Sequence, residues 1–110
     1  MIAVFKFAMA SVTALALLPL LAAVSPAAAA DPDHGADLAK RWCAACHVVA
    51  PDQKQASADV PPFVVIASKP DFTPEKLAFF LLDPHPKMPN FPLSRSEAAD
   101  IAAYIARLRK

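Results

Sequence analysis

Apolar positions recur along the chain with a helical rather than an alternating period. Near the C-terminus Ile101, Tyr104, Ile105 and Leu108 fall at i, i+3, i+4 and i+7, the stripe of an amphipathic helix. Ser94-Arg95-Ser96-Glu97 opens that helix with the serine and glutamate of a capping box. A second helix begins at Thr73-Pro74-Glu75, where an N-cap threonine precedes proline at the first helical position. It carries Leu77, Phe80 and Leu81 on one face and ends before Pro84. A third covers about His34 to Ala45, with Asp33 as its N-cap and Leu38, Trp42 and two cysteines toward related faces. A short helical turn fits around Val64 to Ser68, and no segment alternates well enough to be a strand. The pattern is that of an all-α domain with three main helices and one short one.

The first thirty residues follow a different rule. Lys6 is the only charge before an apolar stretch from Phe7 to Val24, interrupted by Pro19. Ser25-Pro26 then leads into Ala27 to Ala30, and Ala28-Ala29-Ala30 meets the small-x-small rule of a secretory cleavage site. Residues 1–30 therefore read as a signal peptide cleaved after Ala30, with an uncleaved membrane anchor as the alternative that Pro19 and the alanine-rich end disfavour, and residues 31–110 as a single domain. A domain of that size buries too little surface to be comfortable alone and usually carries a staple.

Charge and composition narrow the partners. Without Lys6 the remaining chain holds ten basic and ten acidic residues, a formal balance of zero. Neither a nucleic-acid footprint nor a polybasic membrane patch is present in that balance. Arg107, Arg109 and Lys110 complement the C-terminal end of the last helix. The chain has a single glycine, Gly35, so the loops at Pro51 to Pro62 and Asp83 to Pro92 are shaped by proline.

The chemistry is concentrated at Cys43-Ala44-Ala45-Cys46-His47, which holds the only two cysteines. C-x-x-C-H is the attachment pattern of a c-type haem, with two thiols for the vinyl groups and an imidazole for the iron. A thioredoxin-like dithiol needs a βαβ context that is missing, and a structural zinc site needs a second ligand pair. The sixth iron ligand has one thioether available: Met1 and Met9 lie in the signal, leaving Met88. It stands in Pro84-His85-Pro86-Lys87-Met88-Pro89-Asn90, a rigid polar loop unsuited to a core gap-filler. His85 is the rival donor in the same loop.

Taken together these residues resemble a small bacterial class I cytochrome c, over nearly all of residues 31–110. Gly35 lies eight residues before Cys43, where the family crosses its first and last helices. Tyr104 matches the family's last-helix aromatic at that crossing. Pro61-Pro62-Phe63 resembles the segment whose proline carbonyl, here Pro61, accepts a hydrogen bond from the haem histidine. The chain departs at Ala39, where the family often has an aromatic; Trp42 would either compensate by packing or lie exposed beside the haem edge.

The resemblance implies a class I fold around one haem c, bound through Cys43 and Cys46, with His47 and Met88 on the iron. It also implies a periplasmic one-electron carrier rather than an enzyme, because both axial positions are filled. Its partners would be redox proteins: a dehydrogenase, an oxidase or another cytochrome. The haem edge ringed by Trp42, Ala44, Ala45, Pro86 and Lys87 would meet them. The chain would act as a monomer or as a small subunit, with no membrane insertion after cleavage. A dedicated haem subunit or acceptor of a periplasmic dehydrogenase is the alternative within that class. A haem sensor or catalyst with a labile Met88 is the alternative outside it.

Overall fold

Among the described residues four helices form where an N-cap or a proline sets the first turn. A computed structural model describes residues 28–57, 59–84 and 87–110. Its helices are α1 (Pro32–Trp42), α2 (Phe63–Ala67), α3 (Pro74–Leu82) and α4 (Arg95–Arg107), and no strand occurs among the described residues. Almost all of the expected signal peptide, and His85, lie outside the described residues.

The capping box of α4 is complete. Ser94 Oγ accepts from Glu97 N at 3.1 Å, and Ser94 N donates to Glu97 Oε2 at 2.7 Å. At α3, Thr73 Oγ1 accepts from Lys76 N and Pro74 occupies the first turn. The start of α1 differs from the expected Asp33. Asp31 is the N-cap, accepting from Asp33 N and His34 N at 2.9 and 3.1 Å. Pro32 explains the displacement: its fixed φ suits the first helical position, as Pro74 does in α3. The same helix ends at Trp42 rather than Ala45, because the cysteine segment turns back on itself. There His47 N donates to the Cys43 carbonyl at 2.9 Å.

The core is built on α4, which packs most extensively against α1, then α3, then α2. Ile101 and Ile105 are fully buried with Leu38, Ala39, Phe63, Ala67 and Leu81 around them. Gly35 makes the α1–α4 approach possible. A Cβ built there would lie 2.0 Å from the Asp100 carbonyl oxygen and 2.9 Å from Ile101 N. Backbone therefore meets backbone at this crossing, and no side chain fits between.

Tyr104 is buried one turn along α4 and donates its hydroxyl to the Val49 carbonyl. That bond ties α4 to the loop just after His47. On α3, Leu81 is buried and Leu77 half-buried, whereas Phe80 lies at the rim and Phe79 is 78% exposed.

Candidate functional site

The two cysteines leave α1 in different environments. Cys43 is the C-cap residue and belongs to the core, and its burial pushes the thiol up to about 11. Cys46 is exposed, and both thiols are free. The turn between them is closed by Cys46 N donating to the Cys43 carbonyl at 3.2 Å.

His47 is held from two sides. Its Nδ1 lies 2.7 Å from the Pro61 carbonyl oxygen. A carbonyl only accepts, so Nδ1 carries the proton and Nε2 presents its lone pair. The ring also packs against Phe63, with centroids 5.2 Å apart and planes tilted by 49°. The Pro61 segment is anchored in turn by Phe63 N donating to the Val48 carbonyl at 2.9 Å. One proline-led segment thus meets the imidazole twice, through the Pro61 carbonyl and the Phe63 ring.

Gln53 is the residue that sequence reasoning missed. Its Oε1 accepts from Val49 N at 2.9 Å. Its Nε2 lies 3.1 Å from the Ala44 carbonyl, 2.7 Å from that of His47 and 2.8 Å from that of Gln55. One side-chain amide therefore gathers the attachment loop from Ala44 to Val49. A glutamine in a polar, proline-bounded loop carries no signal that separates it from a solvated residue.

Met88 is half-buried and packs against the core cluster, while Lys87, Pro89 and Asn90 are exposed. Trp42 is half-buried against Phe91, with ring centroids 5.5 Å apart. Ala39, where the family often has an aromatic, is fully enclosed. A groove of about 470 Å³ runs between Val48–Pro51, Val64 and the Arg107–Lys110 end, and none of the cysteines, His47 or Met88 lines it.

These residues fit a covalently held haem by the chemistry of their donors. Two unpaired thiols stand three residues apart, and the next residue is an imidazole whose Nδ1 is already engaged. Only Nε2 is left for an iron. Among the described residues no three His, Cys, Asp or Glu side chains gather as a closed zinc site would require. Nor is any described helix long and apolar enough to cross a membrane.

Comparison with known proteins points the same way. The family described as cytochrome c oxidase, cbb3-type, subunit III matches residues 30–105. Cytochrome c-552 of Bradyrhizobium diazoefficiens is 69% identical over 93 residues, spanning 84% of this chain and 89% of that protein. No solved structure matches the chain.

Proposed function

This chain belongs to the cytochrome c family, small electron-transfer proteins with covalently bound haem c, and on that premise we propose a periplasmic one-electron carrier with iron held by His47 and Met88. Cys43 and Cys46 are the thioether positions. Haem c, when bound, supplies an iron that alternates between the ferrous and ferric states.

The observation that carries the reading is the His47 Nδ1 to Pro61 carbonyl bond of 2.7 Å. It fixes the tautomer and aims Nε2. Gln53 and Tyr104 hold the backbone on which that imidazole sits. Met88 is a soft donor that favours ferrous iron, and its half-buried place beside exposed neighbours suits a side chain turned inward. Held by both His47 and Met88, a haem iron would keep the same two residues through a change of oxidation state.

Export follows from residues 1–30, with cleavage between Ala30 and Asp31. The partners are redox proteins. The matched family is described as an oxidase subunit, which favours an oxidase as electron acceptor.

Absorption spectra of the periplasmically expressed protein test the ligand set. A c-type pyridine haemochrome is expected, with the weak far-red band of ferric His/Met haem. Met88→Ala abolishes that band and keeps the attachment. A wild-type spectrum without the band removes Met88 from the iron and leaves His85 as the next donor to substitute.

A further inference from the structure

Asp100 stands on α4 directly beneath the start of α1. It is 8% exposed, and its two carboxylate oxygens have separate partners. Oδ2 lies 2.7 Å from His34 Nδ1, and Oδ1 accepts from the backbone nitrogen of Asp31, also at 2.7 Å. That nitrogen belongs to the peptide bond joining Ala30 to Asp31. Ala28, Ala29 and Ala30 are exposed and free of regular structure. Ala30, Asp31 and His34 share with Ser96, Ala99 and Asp100 the walls of a groove of about 230 Å³.

We propose that Asp100 is a built-in receptor for the N-terminal ammonium created when the chain is cleaved between Ala30 and Asp31. The inference rests on the cleavage reading given above. Hydrolysis breaks the Ala30 carbonyl carbon–Asp31 nitrogen bond. Water adds its hydroxyl to the Ala30 carbon, which departs as a carboxylate, and the Asp31 nitrogen leaves as an amine that takes up a proton. A neutral amide donor thereby becomes a cation with its nitrogen already at hydrogen-bonding distance from a largely buried carboxylate. Charge-assisted bonds of this kind are about twice as strong as neutral ones.

The surroundings show why such a receptor is needed. A positive charge at a helix N-terminus opposes the macrodipole. Asp31 already spends its own side chain on Asp33 N and His34 N. Asp33 is engaged by Arg107 at 2.9 Å. Glu97 forms the capping box of α4, and its charge, like that of Asp31, reaches His34. The His34 imidazole is held toward its charged form chiefly by its hydrogen bond to Asp100. Asp100 reaches the new terminus through Oδ1, the oxygen that His34 does not use. Binding there raises the amine above its ordinary value of about 8. A raised basic group adds stability that is complete below its unfolded pKa and disappears as pH climbs through the folded one.

The test uses the haem-loaded protein. Mass spectrometry locates the terminus, and nuclear magnetic resonance of ¹³C-methylated amines titrates it. A terminus at Asp31 is expected, with a midpoint above about 8 that Asp100→Asn returns to the ordinary value. A form retaining Ala29-Ala30 is expected to melt at lower temperature at pH 7, the gap closing at higher pH. This second comparison stands even where Asp100→Asn fails to fold. A terminus elsewhere overturns the cleavage reading and the inference with it. A terminus at Asp31 whose amine titrates normally, with no melting difference between the two forms, overturns the inference alone.

Discussion

Gln53 shows how much of a site can depend on a residue with no chemistry of its own. Its amide meets four backbone groups between Ala44 and Gln55, and each such bond contributes about 0.5–1.5 kcal/mol. Gln53→Ala is expected to cost about 2 kcal/mol in chemical denaturation of the holoprotein. It is also expected to raise the reduction potential, because a looser His47 loses alignment with Pro61. A stability loss with an unmoved potential would make Gln53 a loop staple and nothing more. At this scale the sequence was unevenly legible. Cys43, Cys46 and His47 announce themselves by spacing, whereas Pro61 was visible only through resemblance. Hydrogen bonds from a side chain to distant backbone leave no periodicity to read.

Among the elements, the closest contact is between α1 and α4. The 2.0 Å gap for a Cβ at Gly35 faces the Asp100 carbonyl, which cannot rotate away as a side chain would. Gly35→Ala is therefore expected to force the helices apart at a cost of about 3 kcal/mol. In a domain of this size that is a fall in Tm of more than about 10 °C. A drop of only a degree or two in a thermal melt would mean that the crossing tolerates displacement. The helices themselves were legible in proportion to their local signals. α4 and α3 start where their caps and proline say. α1 starts two residues early because Asp31-Pro32 competes with Asp33 and wins, the proline needing no amide bond in the first turn. Its early end depends on the loop beyond, and Gln53's hold on the Ala44 carbonyl is a tertiary contact.

On the scale of the whole molecule, a short domain closes around a sulfur. Cys43 sits among Leu38, Ala39, Ile101 and the rest of the core, and its thiol is pushed up to about 11 by burial. At pH 7 only about one such thiol in ten thousand is ionised, against a few per cent of ordinary exposed ones. Cys46, on the surface, suffers no such enclosure. Iodoacetamide is expected to label Cys46 and spare Cys43 in native apoprotein, and to label both in concentrated urea. Equal labelling in native buffer would show that Cys43 is not shut in. The burial that makes Cys43 part of the core imposes a timetable on the molecule's birth. A carbon–sulfur bond at Cys43 forms more readily on an open chain than inside a closed core, so each step of closure narrows the time left for bonding.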